Sequence, residues 1–79
     1  MRRSLARHQA LLSVMAQARV KAGLSQRQLS AKLKVSVNYV QRIESGERDV
    51  GVDEFVEFSE AVGADPIDLL KQALKKRTL

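Results

Sequence analysis

The chain has no cysteine and no tryptophan, and only one histidine, one proline, one tyrosine and two phenylalanines among its 79 residues. Without cysteine there is neither a disulfide framework nor a thiolate metal site, which fits a reducing compartment and makes a cytoplasmic location the expectation. Tyr39, Phe55 and Phe58 are too few aromatics for a platform that stacks single-stranded bases. The one histidine, His8, stands in a basic stretch with no carboxylate–histidine cluster around it. No glycine-rich phosphate loop or metal-ligand spacing occurs, so neither an enzyme, nor a cofactor, nor a bound metal is expected.

A long apolar run is also missing. Nothing approaches the roughly 18 consecutive apolar residues of a membrane span, so no membrane partner is expected. The opening MRRSLARHQALLSVMAQA superficially resembles a signal peptide, with a basic start and a small-residue Ala16-Gln17-Ala18. Gln9 and Ser13 interrupt its apolar stretch, however, and cleavage would remove most of a helix that the remaining chain needs.

What the chain does carry is charge, unevenly placed. The net charge is +5 with a pI near 10.1. Residues 1–50 hold ten lysines and arginines against Glu44, Glu47 and Asp49, a balance of +7; residues 51–79 hold six acidic groups against four basic ones, a balance of −2. A basic half beside an acidic half suggests one face for a polyanion and another for a different partner.

The apolar spacing and its punctuation predict five helices and no strand, an all-α fold in a single domain. Leu11, Met15, Ala18 and Ala22 mark the inner face of a first helix from about Ser4, stopped by Gly23. The arginines before Leu11 read either as the start of that helix or as a basic arm, so residues 1–10 are set apart from a domain over 11–74 and a basic tail over 75–79. Ser25 with Gln28 forms a capping box for a second helix, with Leu24 and Leu29 as its hydrophobic staple. Ser36 is the expected cap of a third, with Val35 and Val40 repeating the staple; Val40 and Ile43 face inward and Gly46 ends it. At 100° per residue Asn38, Gln41, Arg42 and Ser45 then fall on the outward side. Gly51 caps a fourth helix with Phe55, Phe58 and Val62 inward, and Gly63 stops it. Asp65-Pro66 starts a fifth, with Leu69, Leu70, Ala73 and Leu74 on its apolar side.

Two short helices joined by a tight turn, the second with polar groups outward, are a helix-turn-helix. From Leu12 to Leu70 the chain resembles the lambda-repressor-like regulators of the Cro/C1 type (XRE family), five-helix DNA-binding domains of bacteria and phages. The matching stretches are GLSQRQLSAKL, VSVNYVQRIESGER and FSEAVGADPIDLL. One departure stands out: the family's turn glycine is replaced by Lys34. A β-carbon in a left-handed turn costs about 1–2 kcal/mol.

The resemblance implies double-stranded DNA as partner. It assigns Gln26, in the first turn of the second helix, to a phosphate, and brings Ser36, Val37, Asn38 and Arg42 to base edges. Chemically, Asn38 suits adenine, Arg42 suits guanine, Val37 can pack on a thymine methyl, and Gln41 can read a base or a phosphate. Arg27, Lys34 and Arg48 are placed for backbone contact; Tyr39 either packs beside helix two or four or gives its hydroxyl to a phosphate. Glu44, in the recurrent Ile-Glu-x-Gly exit, reads as structural. Proteins of this type bind as twofold dimers, and compact ones include repressors. Phe58, Ile67, Leu70 and Leu74 are the candidates for a homodimer surface, with Phe58 equally suited to the core. The rival expectation is an antitoxin-like interaction module that binds a protein partner as well as its own operator.

Overall fold

A computed structural model describes residues 5–76. The expected helix start at Ser4, together with Arg2, Arg3 and tail residues 77–79, lies outside the described residues. Five helices follow one another: α1 Leu5–Lys21, α2 Gln26–Leu33, α3 Tyr39–Glu44, α4 Val52–Ala61 and α5 Pro66–Lys76. Among the described residues there is no strand.

The helix stops share one device. After α1, Gly23 takes φ 77°; its N–H donates to the Val20 carbonyl and that of Leu24 to the Arg19 carbonyl. This pair of bonds, with a left-handed residue just past the helix, is a Schellman motif. It recurs after α2 at Lys34, after α3 at Gly46 and after α4 at Gly63. Three of the four use glycine. Lys34, at φ 60° and ψ 43°, is the described non-glycine residue with positive φ.

The starts are individual. The Ser25 hydroxyl accepts from Gln28 N–H at 3.0 Å, and the Gln28 amide oxygen accepts from Ser25 N–H at 2.8 Å. At α4 the Glu54 carboxylate accepts from Gly51 N–H at 2.9 Å, the half of a capping box that glycine permits. At α5 the Asp65 carboxylate accepts from Ile67 N–H at 2.9 Å.

The third helix begins differently from the sequence expectation. Its regular part starts at Tyr39, three residues after Ser36; the Ser36 carbonyl accepts from Tyr39 N–H and closes a lead-in turn. Asn38 occupies the cap position with φ −93° and ψ 0°, and its side chain makes no capping bond. The missing cap comes from the neighbouring helix: the fully buried Ser30 hydroxyl on α2 accepts from Val40 N–H at 3.2 Å.

Packing places α1 between two groups. Leu12 and Met15 join Leu29, Val40, Ile43 and Phe58 in the larger core, with Leu24, Leu33 and Tyr39 packed against it. Val14 joins Leu69 and Ala73 of α5, and half-buried Leu11 and Phe55 touch both groups. The single stripe expected for α1 is thereby corrected: Leu12 and Val14 are buried and Ala22 is exposed. A helix covered on two sides has no single apolar face to betray its register. The second staple is corrected too, since Val35 remains 38% exposed.

Candidate nucleic-acid interface

The outward edge of α3 and its lead-in turn carry the base-reading candidates. Ser36, Val37, Asn38, Gln41 and Arg42 are all exposed, while Val40 and Ile43 of the same helix are fully buried. The helix is therefore anchored through Val40 and Ile43, with Tyr39 and Glu44 also turned toward the body, and presents Gln41 and Arg42 outward. Arg42 lies 3.9 Å from Glu47, with both side chains more than half exposed. Such a loose pair contributes about 0–1 kcal/mol and yields readily to a better partner.

What holds this edge against the body is an ionic hub built around Glu44. Arg19, near the end of α1, donates from Nε to Glu44 Oε2 at 2.7 Å and from Nη2 to Oε1 at 3.1 Å. Its Nη1 donates to the Leu24 carbonyl at 2.7 Å. The same Glu44 oxygen accepts from Gln26 Nε2 at 2.9 Å. Side-chain exposure of 14% for Arg19 and 8% for Glu44 makes this a largely dry, bidentate pair, the geometry in which arginine and carboxylate interact best. Three helices meet here: the last turn of α1, the first of α2 and the last of α3. Glu44 is structural, as its place in the exit motif implies.

Gln26, expected at a phosphate, stands in the first turn of α2 as read, but it is half-buried with its amide engaged on Glu44. The capping box occupies Ser25 and Gln28, so the backbone N–H groups of Gln26 and Arg27 have no intrahelical partner. These and the positive dipole end suit an anion. Arg27 is exposed beside them, and exposed Lys34 stands at the opposite end of α2. The α2 helix itself carries Arg27 and Lys32 and no acidic residue.

Tyr39 and Arg48 form a third place. The Arg48 guanidinium lies over the Tyr39 ring, 4.9 Å from its centroid, and pairs with Glu54. Tyr39 is half-buried and packs against the larger core. Burial, and secondarily the Glu54 charge, push its phenol above the ordinary 10.0, against the opposing pull of Arg48.

The proposed dimer residues divide. Phe58, 1% exposed, is consumed within the core and is withdrawn from the surface. Ile67, Leu70 and Leu74 are 58%, 44% and 45% exposed and recur at i, i+3 and i+7, one side of α5. Ser30 is the functional-edge residue that the sequence reading passed over. Its signal was a serine inside a helix, where the residue is unfavourable unless its hydroxyl is used. Among the described residues no group of acidic, histidine or cysteine side chains could hold a metal, and no helix is long and apolar enough to cross a membrane.

Residues 15–69 match a family model described as helix-turn-helix. The chain is similar to a solved XRE-family like protein from Pseudomonas syringae, with 38% identity over 89% of this chain and 85% of that one, and a TM-score of 0.83. It is also similar to the clp gene regulator ClgR from Corynebacterium glutamicum, at 26% identity over 98% of this chain and 97% of that one, TM-score 0.81. A second structure of ClgR gives 27% identity over 94% and 78%, with the same TM-score of 0.81. No curated protein matches the chain.

Proposed function

The chain belongs to the XRE/Cro-C1-type helix-turn-helix family of DNA-binding regulators, and from that premise we propose that it is a sequence-specific reader of double-stranded DNA that docks as a homodimer on a palindromic operator. The family is one of regulators rather than enzymes. The observation that carries the reading is the outward edge of α3, where Asn38, Gln41 and Arg42 are exposed and none is committed to the core. Asn38 would pair with adenine and Arg42 with guanine in the major groove, Val37 would meet a thymine methyl, and Ser36 and Gln41 would complete the edge. Gln26, Arg27, Lys34, Tyr39 and Arg48 would hold backbone phosphates, which position the protein and carry no sequence information. One such module reads few bases, so two copies are invoked, joined through Ile67, Leu70 and Leu74 of α5 and spaced one helical turn apart on the DNA.

The test is selection of bound duplexes from a random pool, followed by anisotropy titration of the winner against scrambled DNA at two salt concentrations. A palindromic winner whose preference persists at higher salt is expected. Uniform binding that salt abolishes would reduce the basic half to a polyelectrolyte surface and redirect attention to a protein partner for α4 and α5. On the winning site, Arg42→Ala is expected to cost about 1–3 kcal/mol and to relax preference at one base pair. Equal weakening on all sequences would remove Arg42 from base reading.

A further inference from the structure

Arg48 sits in the loop after α3, yet its guanidinium is held from two sides. Nη2 donates to Glu54 Oε2, and the guanidinium carbon lies over the Tyr39 ring, 4.9 Å from its centroid. Glu54 is itself fixed, because its other oxygen accepts from Gly51 N–H at the start of α4. The ion pair is partly exposed, 42% at Arg48 and 31% at Glu54, and pairs of that kind add little to folding. What the arrangement does set is direction. Guanidinium carries five N–H donors in a rigid fork, so a carboxylate on one side and a ring beneath leave donors for an anion arriving from solvent. An arginine ordered before binding also loses less side-chain freedom when it binds.

We propose that Glu54 is a positioning residue for DNA binding: without touching DNA, it holds Arg48, together with the Tyr39 ring, in the orientation that meets a backbone phosphate. This rests on the DNA-binding reading and extends it to a residue of α4. The sign of the effect is diagnostic. Removing a negative charge near a polyanion ordinarily tightens binding, whereas removing a positioning group weakens it.

The experiment titrates the selected duplex and its scrambled counterpart with the wild-type chain, Glu54→Gln, Arg48→Ala and the double variant, each at two salt concentrations. Glutamine retains an oxygen for Gly51 N–H, and circular dichroism checks that helix content is unchanged. Glu54→Gln is expected to weaken both duplexes about fivefold, to lower the salt slope by about one ion, and to add nothing in the Arg48→Ala background. Tyr39→Leu, which removes both the ring beneath Arg48 and the hydroxyl proposed to meet a phosphate, should weaken both duplexes, and by less once Arg48 is gone. Equal or tighter binding by Glu54→Gln, or an undiminished loss when Arg48 is already absent, would overturn the proposal while leaving the DNA reading intact. A wild-type chain that binds no duplex would sink that reading, and this one with it.

Discussion

Single residues in this chain carry conflicts that can be measured. Lys34 occupies a left-handed position that the other three Schellman turns give to glycine. Relief of that strain, less the extra freedom that glycine confers on the unfolded chain, should make Lys34→Gly more stable by about 1 kcal/mol. The check is a urea midpoint that rises with an unchanged slope; a falling midpoint would mean that the lysine side chain holds the turn. If Lys34 also serves a phosphate, the same variant should bind all duplexes more weakly. Tyr39 offers a second reading, because it is the only tyrosine and there is no tryptophan. Its phenol should titrate, by near-ultraviolet absorbance, above 10.0. Burial is the first cause and Glu54 the next, so Glu54→Gln should lower the midpoint and Arg48→Ala raise it further. The folded state holds this proton more tightly than the unfolded one. The associated stability is therefore complete below pH 10.0 and fades as pH rises through the folded midpoint.

At the scale of elements, the α2–α3 pair depends on a hydroxyl. Ser30→Ala should cost about 1–3 kcal/mol, because it leaves Val40 N–H buried without an acceptor. Alanine is the better helix former, so α2 by itself would gain; a loss in thermal or chemical denaturation then comes from the buried contact with α3, chiefly the bond to Val40 N–H. This is also where sequence and structure part company. Helix stops were legible at Gly23, Gly46 and Gly63, since the left-handed cap has a strong residue preference, and starts were legible at Ser25, Gly51 and Asp65-Pro66 for the same kind of local reason. The start of α3 was not. Ser36 looks like a cap, but the turn is closed by its carbonyl and the cap group arrives from α2, a contact between residues ten apart in sequence. Leu12 and Val14 were missed because burial on two sides erases the periodicity that locates one. The identities on the α3 edge were legible from their spacing, whereas the engagement of Gln26 with Glu44 and the Arg48–Tyr39–Glu54 assembly needed tertiary placement to be seen.

For the molecule as a whole, the question is how many copies act together. The described chain has a radius of gyration of 12.0 Å and leaves Ile67, Leu70 and Leu74 outward on α5. Leu70→Glu should give a monomer by sedimentation while helix content is unchanged, and should abolish the preference for a palindrome over a single half-site. A wild-type chain that is monomeric at micromolar concentration, both free and on DNA, would end the dimer reading. The division of α3 has a consequence beyond binding. Val40 and Ile43 fasten the helix, and the five positions proposed to read bases bear none of that burden. If positions 36, 37, 38, 41 and 42 read bases as proposed, they form an exchangeable cassette: a lineage could rewrite its operator by drift at those sites, one substitution at a time, while the architecture beneath stays under separate selection.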